Sequence, residues 1–142
     1  MRLVWTGERL QFSGETGYGQ PVHVGGDTDG AGAKPSDLLP ISLAACTAYD
    51  VVEILRKQRQ RLVGLEAVVR SEQDLDPPWT FRAIHITWIV RGEVDERKAA
   101  RAVELAESKY CAVAATIKDV VKLSHSIELL GPEDVAGDDP PG

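Results

Sequence analysis

The stretch from Lys34 to Arg61, KPSDLLPISLAACTAYDVVEILRKQRQR, constrains the fold more than any other part of the chain. It is the longest apolar-rich segment, it opens with helix-start residues and it closes on a cluster of cations. Ser36 suits an N-cap, and Asp37 adds a favourable negative charge to the first turn. Pro40 complicates that start, because a proline at a fourth helical position forfeits a hydrogen bond. Either a short first turn precedes it or the main helix begins there. From Ile41 onward, Leu43, Ala44, Val51, Val52, Ile54 and Leu55 form a wide apolar face, and Arg56, Lys57, Arg59 and Arg61 complement the C-terminal end of the dipole. The spacing predicts a helix of about five turns, apolar around much of its circumference and therefore central.

The flanking sequence alternates instead. Leu3 to Trp5, Leu10 to Phe12 and Val22 to Val24 are short apolar runs separated by Gly7 and by Gly14–Gly19, a pattern that predicts an antiparallel meander. The segment 25–33 (GGDTDGAGA) reads as a loop, without the spacing or the Lys-Ser/Thr of a phosphate loop. Leu65, Ala67 and Val69 alternate with Glu66, Val68 and Arg70 as a strand, and Asp76-Pro77-Pro78 forms a turn. Phe81 to Arg91 is a stronger strand, with Ile84, Ile86, Trp88 and Val90 on one face and His85, Thr87 and Arg91 on the other. Asp95 caps a helix running to Ser108, Tyr110-Cys111 is a break, residues 112–121 resume as helix, and Ser124 to Leu130 is a last strand. Strands, a long helix, strands, helices and a strand give an α+β protein.

Length and charge narrow the function. One hundred and forty-two residues suit a single domain, placed at 1–130, with an acidic, Pro- and Gly-rich tail over 131–142. The formal net charge of −6 argues against non-specific nucleic-acid binding, and without Glu133, Asp134, Asp138 and Asp139 of the tail it falls to −2. No apolar run approaches the roughly 18 residues of a membrane span, and nothing after Met1 reads as a signal peptide, so the expected location is the cytoplasm.

The chain has two cysteines, Cys46 and Cys111. A reducing compartment disfavours a structural disulfide, leaving inert core thiols, a metal site or a redox pair. Cys111 precedes a helical run directly. Cys46 lies deep in its own helix, beyond the terminal dipole, and needs an external cation such as an arginine to become nucleophilic. Asp50 and Glu53 follow Cys46 on about the same helix face and can line a site or face solvent. A carboxylate alone raises a thiol's pKa, so it helps only by orienting an arginine. His23, His85 and His125 are scattered without metal-ligand spacing, so neither metal nor cofactor is expected. Trp5, Trp79 and Trp88 read as core or interface residues. Nucleophile-elbow, Walker and dinucleotide motifs are absent from the sequence.

Together, PSDLLPISLAACTAYDVVEILRKQR and the later KYCAVAATIK resemble the osmotically inducible protein C/organic hydroperoxide resistance (OsmC/Ohr) family, with an OsmC-like subgroup the nearer likeness. The resemblance runs from about Arg9 to Leu130 and rests on a proline-started helix whose small-residue motif ends in cysteine, and a second cysteine just before a late helix. It implies antiparallel sheets wrapped around central helices in an intertwined homodimer. It also implies thiol-dependent reduction of hydroperoxides, an oxidative-stress activity. Cys46 would attack the peroxide and Cys111 would condense with the resulting sulfenic acid, the disulfide then being reduced by a small dithiol or a dithiol protein. In the family an arginine from the N-terminal strands holds the thiolate. Counting back from Cys46, Arg9 falls at that position, with Arg2 in reserve. The peroxidase branch carries a glutamate directly after the helix-start proline to orient that arginine; here Pro35 is followed by Ser36, and the acid comes one place later as Asp37.

Three readings follow. The first is a cysteine-based hydroperoxide reductase. The second is a redox-sensing or small-molecule-binding protein on the same scaffold without efficient turnover, motivated by the displaced acid. In the third both cysteines merely fill the core.

Overall fold

A computed structural model describes residues 1–26 and 32–135, the side chains of 134 and 135 excepted. The expected loop at 25–33 and the tail at 131–142 therefore lie partly outside the described residues. The chain divides into two compact units, Met1–Ile41 and Ser42–Gly142, with the division inside the long helix.

The first unit is the expected meander. β1 (Arg2–Trp5), β2 (Gln11–Glu15) and β3 (Pro21–Gly25) pair antiparallel in sequence order. Only Val24 and Gly25 of these strands are buried. Trp5 is 58% exposed, so it is not a core residue of this unit.

The long helix, α1, runs from Pro35 to Lys57 and exceeds the expected five turns. It begins one residue before the expected cap. Pro35 takes the first helical position, where its missing N–H costs nothing, and Ser36 lies inside the helix. Pro40 is accommodated within the helix without ending it. By length and composition α1 is apolar enough to cross a membrane, with a mean hydropathy of 1.6 over eighteen residues, contrary to the expectation of no such run. Leu43, Ala44, Val51 and Leu55 of this helix are buried in the second unit's core.

That core lies on one face of a second sheet, β4 (Arg61–Gln73), β5 (Phe81–Glu93) and β6 (Lys122–Leu130). Ile84, Ile86, Trp88 and Val90 of β5 point into it, as their alternation predicts. β4 pairs antiparallel with β5, but β6 pairs parallel with it, which corrects the expectation of purely antiparallel sheets. The reason is the connection. α2 (Glu96–Leu105), a π turn (Ala106–Tyr110) and α3 (Ala112–Ile117) carry the chain back along the sheet before β6 begins, and such a crossover returns a strand in the same direction. Asp95 caps α2 as expected, its Oδ1 accepting the Lys98 N–H at 3.0 Å. Trp79, at the β4–β5 turn, is 55% exposed and so is not core either.

Candidate active site

Leu43, Thr47, Val51 and Leu55 recur at four-residue spacing, which places them on one helix face, and all four are buried. Thr47 is the polar member of that stripe. Cys46 stands beside it, half-buried and packed against the apolar cluster. Its thiol is free, as is that of Cys111.

Cys111 reaches the same place by a different local device. α2 ends in the π turn, where the Cys111 N–H donates to the Ala106 carbonyl at 2.8 Å. One residue more than an α turn breaks the helix and leaves Cys111 extended (φ −77, ψ 111) as the cap of α3. Its side chain is 2% exposed, and its Sγ accepts the Ala114 N–H at 3.3 Å.

Of the α1 side chains, that of Cys46 is near enough to influence how Cys111 titrates. The Thr47 Oγ1 is wholly buried and has no hydrogen-bond partner among the described residues. Burial pushes the Cys111 thiol up from the ordinary value of 9.0. The Ala114 N–H pulls it down, while the Cys46 thiol and its charge when ionised push it further up. The result is a dithiol with one partly accessible member and one buried, protonated member.

Residues 26–126 match the family described as OsmC-like protein, well over half of the chain. The chain belongs to the OsmC-like family. Protein YhfA of Escherichia coli K12 is 34% identical over 130 residues, covering 91% of this chain and 96% of YhfA. Among solved structures, a hypothetical protein from Aquifex aeolicus is 28% identical with a TM-score of 0.82, covering 92% of this chain and 94% of that one. An organic hydroperoxide resistance protein, OsmC, from Legionella pneumophila shares the fold, with a TM-score of 0.66 at 16% identity over 89% of this chain and 93% of its own.

Of the four candidate residues in this OsmC-like chain, the two cysteines come together within the second unit, while Arg9 and Asp37 belong to the first. Arg9 is exposed in the β1–β2 turn at φ 49, and its carbonyl accepts the Trp5 indole N–H at 2.9 Å. Arg2 is exposed on β1, and Asp37 is exposed in the first turn of α1. The Ser36 hydroxyl is buried and unpartnered among the described residues. Asp50 is half-buried, and Glu53 faces solvent in an i,i+4 pair with Lys57 at 3.8 Å. No cluster of three or more metal-ligating side chains occurs among the described residues.

Three features of the site were not foreseen. The burial of Thr47 had a signal in the sequence, since Thr47 shares the spacing of Leu43 and Val51. The π turn had none. Nor did the contact on that turn, where His125 Nδ1 of β6 meets Glu107 Oε2 at 2.8 Å.

Proposed function

We propose that this OsmC-like protein reduces hydroperoxides with thiol electrons, Cys46 attacking and Cys111 resolving. The observation that supports this best is the juxtaposition of a partly accessible free thiol with a buried one, each from a different helix. The Cys46 thiolate attacks a peroxide oxygen and the O–O bond breaks. The alkoxide leaves as the alcohol with a proton from solvent, and Cys46 becomes a sulfenic acid. The Cys111 sulfur then attacks the Cys46 sulfur, and the departing hydroxide takes the Cys111 proton as water. A small dithiol or dithiol protein returns the two electrons. Cys46 packs against apolar side chains, so an alkyl hydroperoxide gains by burial what hydrogen peroxide does not.

Arg9 is the proposed cation for the Cys46 thiolate and Asp37 its proposed carboxylate partner, both resting on the family resemblance. A homodimer and a cytoplasmic location, with neither nucleic acid nor a membrane as partner, complete the proposal. With a dithiol present, Cys46→Ser is expected to abolish catalytic consumption of an alkyl hydroperoxide. Without added thiol, Cys111→Ser is expected to consume a single equivalent and halt as the sulfenic acid, whereas the parent closes a disulfide. Full turnover by Cys46→Ser would overturn the proposal.

A second reading, sensing without turnover, is favoured by the burial that keeps Cys111 protonated, because a slow resolving thiol lets the Cys46 sulfenic acid persist. Stoichiometric oxidation with no cycling by any dithiol would select it.

A further inference from the structure

We infer that the contact between Glu107 and His125 positions Cys111, so that this pair governs how fast the Cys46–Cys111 disulfide closes and leaves the first attack at Cys46 untouched. This rests on the roles just proposed for the two cysteines.

Cys111 owes its place to the π turn. Such turns are rare, because their register competes with the α register, so their neighbours decide which is kept. Here the Cys111 N–H donates to the Ala106 carbonyl at 2.8 Å, and Ser108 Oγ donates to the Glu104 carbonyl at 2.7 Å. Both bonds stay within the helical segment, so neither fixes the turn against the sheet. The Glu107–His125 contact does. His125 shares a face of β6 with Leu123 and Ile127, which pack against the core, and its Nδ1 lies 2.8 Å from Glu107 Oε2. An ionised carboxylate only accepts, so the proton of this bond sits on Nδ1. The two side chains are 30% and 23% exposed, and a hydrogen bond to a charged group gains from that shielding.

The route from sheet to thiol is short. β6 holds Glu107, Glu107 adjoins Ala106, and the Ala106 carbonyl holds the Cys111 N–H. Ala106 and Cys111 are both buried, in the cluster against which Cys46 packs. In closure the Cys111 sulfur must line up with the S–O bond of the Cys46 sulfenic acid, and a misplacement of about 1 Å costs about a hundredfold in rate. Cutting the tether at β6 frees the turn to relax toward the α register, which rotates the next residue by about 100° around the helix axis. Neither Glu107 nor His125 gives up a proton: that of Cys111 goes to the departing hydroxide, and water results.

The test first drives closure without peroxide, using diamide. Its N=N bond takes up the Cys46 thiolate and a proton. Cys111 then displaces the adduct to form the disulfide, and the hydrazine departs with the second proton. His125→Ala and Glu107→Ala are each expected to slow this closure about tenfold, and the double variant no more than either alone, since one contact is broken in all three. His125→Asn, whose amide nitrogen stands near the place of Nδ1, is expected to recover most of the rate. Alkylation of Cys46 in a Cys111→Ser background is expected to stay at the parental rate throughout, although a general loosening of the core would raise it. Parental closure in the alanine variants would overturn the inference. So would additive losses, a change of the same size in Cys46 alkylation, or an asparagine variant no faster than the alanine one. If diamide closure behaves as expected but hydroperoxides are not consumed, the positioning role stands and the hydroperoxide substrate falls.

Discussion

Burial keeps the Cys111 thiol protonated at pH values where an exposed thiol has ionised. Above the ordinary value of 9.0 the unfolded chain has released that proton while the folded chain still holds it. The folded state then binds more protons, so the contribution to stability is complete below about pH 9 and declines as pH rises through the folded pKa. The urea midpoint is expected to fall on that alkaline side, and to fall less steeply in Cys111→Ala; parallel slopes in the two proteins would contradict the assignment. Thr47 carries an opposite tension. An unsatisfied buried hydroxyl costs about 1–3 kcal/mol, so Thr47→Val is expected to melt a few degrees higher. The identity of both cysteines was legible from the two motifs. Their division into accessible and buried was not, because the sequence has no way to show how a π turn rotates Cys111 inward.

At the scale of elements, alternation placed Ile84, Ile86, Trp88 and Val90 on the correct face of β5, and the wide apolar face placed α1 in the core. Misplaced features were those set by neighbours distant in sequence. Pro35 moved the helix start, and the direction of β6 followed from its crossover. Gly92 shows how local backbone pins one of these elements. It sits at φ +135 opposite Leu62, beside the register shift between Leu62 and Gly64, and a Cβ there would run into the Arg61 carbonyl. Gly92→Ala combines a forbidden conformation with a clash and is expected to lose more than about 1 kcal/mol in denaturant unfolding. A loss within error would mean that the β4–β5 bulge is soft.

At the scale of the molecule, each unit leaves large apolar side chains uncovered: Leu3, Val4, Trp5 and Leu10 in the first, Tyr49 and Val120 in the second. The proposed homodimer would cover side chains of this kind. Sedimentation is expected to show a dimer, and Tyr49→Glu to shift it toward monomer; a parent protein that stays monomeric at high concentration would refute the dimer.

The parallel pairing of β6 with β5 also bears on how the chain matures. That pairing cannot form until residues 94–121 have collapsed, because the return path runs through α2, the π turn and α3. Non-local parallel contacts are slow to form, since loop closure precedes any gain from them. Cys111 sits within this late segment, whereas α1 and the β4–β5 hairpin need nothing downstream of Glu93 to pair. On the ribosome, Cys46 therefore emerges before Cys111. We expect a newborn chain to pass through an interval in which Cys46 is open to small thiols and oxidants without Cys111 beside it, visible in refolding as faster alkylation of Cys46 before β6 docks than after.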